Sequence, residues 1–183
     1  MRRLASRLRR DSDGYSMIEL VTVMLVLSTI LGGLTTLFVS ASSSELRLNN
    51  RFQAQLNATL GLNRLRTDVH CAQSITPTGA ASSITLTQPS GCSGGGGQVV
   101  WCTLANGSKY SLYRKQGTGG TCGDATYVKV AELLTLANVF TFTAQSGTSL
   151  AKLHVDLPVN AGPTSADQYE LVDDIVLRNS SRT

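Results

Sequence analysis

The chain has 183 residues and a mass of 19.4 kDa, which fits one ordinary domain or a small domain with an appendage. Only 15% of the residues are charged and 5% aromatic, against a usual charged share of about 25%, which excludes a coiled-coil rod and an acidic disordered tail. A formal charge of +4 and a pI near 9.0 suggest an acidic partner, but the charge is not spread along the chain.

Residues 1–14, MRRLASRLRRDSDG, hold five arginines (Arg2, Arg3, Arg7, Arg9, Arg10) against Asp11 and Asp13. That leader therefore carries +3 of the +4, and residues 15–183 carry only +1. An apolar run follows from Tyr15 to Val39, and the 20 residues from Leu20 to Val39 contain no charge. At about 1.5 Å per residue, such a run spans the hydrocarbon core of a bilayer as a helix. Arginines on its N-terminal side predict that this side stays cytoplasmic and that the rest of the chain lies outside. A cleaved secretory signal has an apolar stretch of about 7–15 residues. Val39-Ser40-Ala41 loosely offers a signal cleavage site, but the run is too long for that reading. A plain signal anchor fits the length and leaves Glu19 unexplained. A carboxylate at the bilayer centre costs about 2.5–3.5 kcal/mol. Near the membrane edge the cost is smaller, and the acid still calls for a partner.

The string Gly14-Tyr15-Ser16-Met17-Ile18-Glu19-Leu20 resembles the signature of type IV prepilins. These have a Gly cleavage point followed by an apolar run with Glu at its fifth position. The family usually places Phe after the Gly, and Tyr15 keeps the aromatic ring. The resemblance implies that a membrane prepilin peptidase cuts between Gly14 and Tyr15 on the cytoplasmic face. The same enzyme would methylate the new amino group of Tyr15. It also implies that Glu19 pairs with the N-terminal ammonium of a neighbouring subunit. Physical chemistry agrees, since an acid in an apolar medium must be neutralised by a proton or a paired cation. Such a pair fixes axial register, because a mismatched subunit leaves a charge unpaired.

The expected organisation is a cytoplasmic leader over residues 1–14 and a transmembrane assembly helix over 15–41. A periplasmic or extracellular domain over 42–183 follows, with a helix at 42–70 and a β domain at 71–183. In the second helix Leu48, Phe52, Leu56 and Leu60 recur at i+4, and Leu65 and Val69 extend the stripe. The C-terminal domain is expected to cover that stripe, while Arg47, Arg51, Arg64 and Arg66 mainly face elsewhere. Gly61 weakens the case for one unbroken helix by about 1 kcal/mol relative to Ala. Gly32-Gly33 allows either close helix packing or, in the family view, unwinding of the stem.

After Cys71 the periodicity changes. Strands are predicted over Ala72–Thr76, Ser83–Thr87, Gln98–Leu104, Lys109–Lys115, Tyr127–Glu132, Val139–Ala144, Ser149–Leu157 and Glu170–Leu177. Asn106-Gly107 and Ser146-Gly147 read as hairpin signals, and all four prolines are expected at or beyond strand ends. The fold class is α+β: a long N-terminal helix, half transmembrane and half amphipathic, packed on an antiparallel meander as a pilin-like head. The region from Val139 to Leu177-Arg178-Asn179 also resembles, weakly, the tail of J-type minor pseudopilins.

Cys71, Cys92, Cys102 and Cys122 all follow the membrane segment, and an even count in an exported domain argues for two disulfides. Their spacings of 21, 10 and 20 lack the close pairs of a zinc site. If Ile75 sits opposite Thr85, Cys71 falls near Pro89 and Cys92. That favours Cys71–Cys92 with Cys102–Cys122, while Cys92–Cys122 stays open as an alternative. Gly94–Gly97 lacks the Gly-Lys-Ser/Thr of a phosphate loop. The Gly117–Gly123 stretch misses the dinucleotide fingerprint at its last glycine. His70 and His154 suggest no motif. Asp167, Glu170, Asp173 and Asp174 are the one acidic cluster, read as a solvated strand end with a calcium site as the minor alternative.

No enzyme, cofactor or metal is expected. The expected function is that of a structural subunit, a minor pilin or pseudopilin of a type IV pilus-like or type II secretion filament. Its expected partners are the prepilin peptidase, other pilin subunits, the cytoplasmic membrane platform and the lipid bilayer, with nucleic acid disfavoured by the mature charge of +1. The alternatives are a tip or DNA-uptake binding pilin, and an anchored extracellular domain that does not polymerise.

Overall fold

The computed structural model describes residues 16–92, 96–163 and 167–180. The arrangement is α+β. One helix, α1, runs unbroken over Met17–Cys71. Among the described residues nine antiparallel strands follow: β1 (Ser74–Thr76), β2 (Gly79–Ala81), β3 (Ser83–Gln88), β4 (Gly97–Asn106), β5 (Lys109–Gln116), β6 (Val128–Leu134), β7 (Phe140–Thr143), β8 (Lys152–Asn160) and β9 (Gln168–Val176). The chain divides into two units, one ending at Leu46 and one running from Arg47 to Thr183.

The first unit is helix alone, and none of its membrane-length apolar window is buried. Its backbone bonds close within the helix, which is what a segment in hydrocarbon requires. The hydroxyls follow the same rule. Thr22, Ser28, Thr29, Thr35 and Thr36, which are all the Ser and Thr between Leu20 and Val39, donate to carbonyls three or four residues back at 2.8–2.9 Å. Gly32 and Gly33 sit inside the continuous helix, with open space where a Cβ would stand.

In the second unit, the rest of α1 lies on the sheet. Its buried residues are Ala54, Ala58, Gly61, Leu62, Leu65, Asp68 and Val69. This corrects the expected stripe. Leu65 and Val69 are buried as expected, but Leu48, Phe52, Leu56 and Leu60 are exposed. The buried face carries small residues because the helix lies close to the sheet. A Cβ on Gly61 would stand 3.2 Å from Ala131 Cβ and 3.5 Å from Leu112 Cδ2. The glycine's helix-propensity cost of about 1 kcal/mol is offset by this approach, so α1 does not break there.

The strand order is β1-β3-β4-β5-β6-β8-β7-β2, with β9 on the other edge of β8. The two ends of that path, β1 and β2, are joined only by Pro77 and Thr78, so the sheet curls back on itself. The run β3–β4–β5–β6 is a true meander. The expected simple meander then fails, because β6 and β7 share one edge of β8, through Leu134↔Val159 and Phe140↔Val155 respectively. Trp101, Phe140, Ile84, Leu86, Leu112, Leu134, Leu153 and Leu157 fill the core beneath α1.

Two further expectations are corrected. Ile75 pairs with Leu86 rather than Thr85; this register puts both side chains on the buried face, where a one-residue slip would oppose Ile75 to Thr. Pro158 lies inside β8 rather than beyond its end. Its carbonyl accepts from Thr135 N–H at 2.9 Å on the side where β6 takes over from β7, so the missing N–H leaves the β8–β9 ladder whole.

Candidate functional site

Glu19 stands in the first turn of α1. Its N–H donates to Ser16 O at 2.9 Å, and its carbonyl accepts from the Thr22 hydroxyl. No described residue pairs with its carboxylate. Nearly every large apolar side chain from Met17 to Val39 is at least half exposed. An apolar helix bare on all sides is compatible with an apolar surrounding, in which the acid near its start would be neutralised by a proton or by a paired cation. Gly14 and Tyr15, the expected cleavage pair, lie outside the described residues, as does the leader.

In the second unit, Leu48, Phe52, Leu56 and Leu60 are 69%, 59%, 45% and 62% exposed. Phe52 and Leu48 share an open groove with Arg51, Gln55, Gln168 and Tyr169. The groove lies between α1 and the start of β9.

The C-terminal end of α1 is anchored by groups that sequence reading missed. Buried Asp68 accepts Trp101 Nε1–H at 2.9 Å and Arg114 Nε–H at 2.6 Å, and its second oxygen accepts from the other end of the guanidinium at 3.2 Å. Gln88 Nε2 donates to the Asp68 carbonyl at 2.9 Å. The signal available in the sequence was an Asp at i+3 and i−1 from Leu65 and Val69, on the buried face of the helix. Cys71 bonds Cys92, and Cys102 bonds Cys122, with Cα–Cα distances of 6.0 and 6.1 Å. The expected pairing is therefore the one present. Each bridge ties a glycine-rich loop to an element of the core. Asn179 donates from Nδ2 to the last carbonyls of α1, at His70 and Cys71. It supplies two of the acceptors at the helix end with a partner.

The acidic cluster does not converge. Asp173 points to the helix side and takes Arg66 at 2.8 Å, which holds the Arg66 guanidinium above its usual range. Asp174 points to the other face and accepts from His154 Nδ1 at 2.7 Å and Lys152 Nζ at 3.0 Å. Those two bonds hold its carboxyl below the usual carboxylate range. Among the described residues no three His, Cys, Asp or Glu side chains are placed to share a metal ion.

The glycine loop after β5 is filled by its own chain. Lys115 Nζ donates to Gly119 O at 2.7 Å and lies 5.2 Å from the Tyr127 ring centroid. Asp124 accepts from the backbone of Thr121 and Thr126, and the Thr126 hydroxyl holds its carboxyl below the ordinary range. Lys129 is paired with Glu132, and Lys109 donates to Asn160 O. The basic side chains on β5 and β6 are thus engaged within the domain.

Compared with protein-family models, with curated proteins and with solved structures, the chain matches none of them.

Proposed function

We propose that this chain is a structural subunit, a minor pilin or pseudopilin, of a type IV pilus-like or type II secretion filament. The observation that carries the reading is the stem: a bare apolar helix of membrane length, with its hydroxyls satisfied internally and a carboxylate at Glu19 that has no partner among the described residues. In the proposed sequence of events the stem holds the chain in the cytoplasmic membrane, N-terminus inside. A prepilin peptidase cuts between Gly14 and Tyr15 and methylates the Tyr15 amino group. The subunit then leaves the bilayer for a filament, where the Glu19 carboxylate pairs with the N-terminal ammonium of a neighbour. The exposed Leu48, Phe52, Leu56 and Leu60 give the outer half of the helix a second apolar face for neighbouring subunits.

The role is assembly and no reaction is proposed. A nucleic-acid-binding tip is disfavoured by the mature charge of +1 and by the internal partners of Lys109, Lys115 and Lys129.

The test is Glu19→Ala in cells that assemble the filament. Removing one partner of a desolvated ion pair costs about 3–5 kcal/mol, so incorporation should fall at least about tenfold. Membrane insertion and leader cleavage should stay intact. Normal incorporation of Glu19→Ala would overturn the register role. An uncut chain that stays monomeric would favour an anchored domain that does not polymerise.

A further inference from the structure

The ends of the curled sheet are unlike one another. On the strand path, the terminal strands β1 and β2 have three residues each and are separated by Pro77 and Thr78. Short, interrupted edges of this kind offer little template for another strand. β9 is different. It has nine residues, all paired with β8 in one continuous register from Lys152↔Val176 to Asn160↔Gln168, with no bulge and no proline. Among the described residues its second edge pairs with no strand.

The direction of the backbone groups on that edge follows from the ladder. Leu177 N–H donates to Ala151 O at 3.0 Å, so the pair one step beyond Lys152↔Val176 is a hydrogen-bonded pair. Hydrogen-bonded and open pairs alternate in an antiparallel ladder. The odd-numbered residues of β9 therefore bond to β8, and the N–H and C=O groups of Glu170, Val172, Asp174 and Val176 point outward. No described residue bonds those groups. The same four side chains lie on the exposed face of the sheet, with Val172 50% exposed. Charge does not guard this edge strongly. Asp173 is taken by Arg66, and Asp174 by Lys152 and His154. Glu170 is exposed and has no ion-pair partner among the described residues.

We propose that β9 is a docking edge: an extended segment of a different polypeptide adds to it as a tenth strand, with a basic side chain beside Glu170 and an apolar one beside Val172. The fullest self-pairing of β9 with a second copy is disfavoured. Antiparallel self-pairing centred on Val172 sets Glu170 opposite Asp174 of the other copy, and centring on Asp173 sets Asp173 opposite itself. Like charges directly opposite destabilise a strand pair. A heterologous strand alternating base and apolar residue matches the exposed row of acid, apolar, acid, apolar, and backbone hydrogen bonds supply the rest. The inference does not depend on the filament reading, and its test involves no assembly.

The test uses the full chain, oxidised, in a neutral maltoside detergent, with residue-resolved amide exchange. The probes are two blocked nine-residue peptides, one alternating lysine and valine, the other glutamate and valine. The lysine peptide should slow exchange at Glu170, Val172, Asp174 and Val176 at least tenfold and saturably, and the glutamate peptide should not. Glu170→Lys should invert that preference. Val172→Pro removes one outward N–H and should abolish the slowing, while Trp101 fluorescence and the melting curve show that the fold is kept. Should Val172→Pro fail to fold, Glu170→Lys decides alone. No slowing with either peptide overturns the proposal. So does equal slowing with both, or protection of the same amides by raising protein concentration without peptide, which would make a second copy the occupant.

Discussion

Replacing Asp68 with alanine removes the one acceptor shared by Trp101 Nε1 and the Arg114 guanidinium. The two charged side chains are only 5% and 13% exposed, so solvent screens the pair little. Arg114 keeps a single polar contact, Gln116 Oε1 at 3.0 Å, and Trp101 keeps none. Breaking a buried pair from one side costs about 3–5 kcal/mol, and an unsatisfied buried N–H costs about 1–3 kcal/mol. The two overlap, because both side chains relax into the same space, and about 4 kcal/mol is expected in all. For a domain of this size each kcal/mol moves the midpoint by about 2–4 °C, which gives a fall of roughly 10 °C. The assay is urea or thermal unfolding of the full chain in detergent. Trp101, the one tryptophan of the chain, reports on the site itself. Asp68→Leu combined with Arg114→Met removes both charges and should recover most of the loss. A loss below about 1 kcal/mol in Asp68→Ala would refute the reasoning. A double variant no more stable than the single one would also refute it.

Gly61→Leu should destabilise by about 3 kcal/mol or more, since the new side chain meets Ala131 and Leu112 where even a Cβ stands at 3.2 Å; a urea midpoint equal to wild type would show that the helix does not lie close there. Asp174 titrates below its usual range when folded, so its contribution to stability is present above the ordinary carboxylate pKa and is lost as pH falls through the depressed folded value. The stability difference between wild type and Asp174→Asn should therefore exist at neutral pH and vanish in strong acid. Thermal melts across that range check it, and a difference that grows on acidification would contradict it.

The membrane-length stem was legible because uncharged length is itself the physical requirement of a bilayer. Strand β8 was legible because Leu153, Val155 and Leu157 are buried in alternation with half-buried neighbours, whereas β5 alternates in sequence only, since register shifts on either side of Leu112 bury Ser111 as well. The pairing of Cys71 with Cys92 was reached through a register off by one residue. It held because the turn after β3 folds back, with Cys92 N–H on Pro89 O at 3.2 Å, and brings Cys92 to the helix end in either register. Strand β2, Gly-Ala-Ala, has no alternation and no β-branched residue, and it forms only because β7 lies beside it. The helix face was misassigned for a related reason. Large apolar residues at i+4 spacing mark an apolar stripe without saying what covers it. Close packing on a curled sheet selects Ala54, Ala58 and Gly61 instead, and their smallness hides them in a hydropathy pattern. Asp68 was missed because its partners Trp101 and Arg114 come from strands distant in sequence, and Asn179 because the carbonyls it meets belong to the far end of α1.

The central claim is that residues 1–14 are a discarded leader and that the stem then serves assembly. The most direct measurement is the N-terminus of the protein purified from its own cell membrane, by mass spectrometry of the N-terminal peptide. The account predicts that the chain begins at Tyr15 and carries one methyl group on its amino nitrogen. A chain that begins at Met1 or Arg2, or one cut after Val39–Ala41, would contradict it.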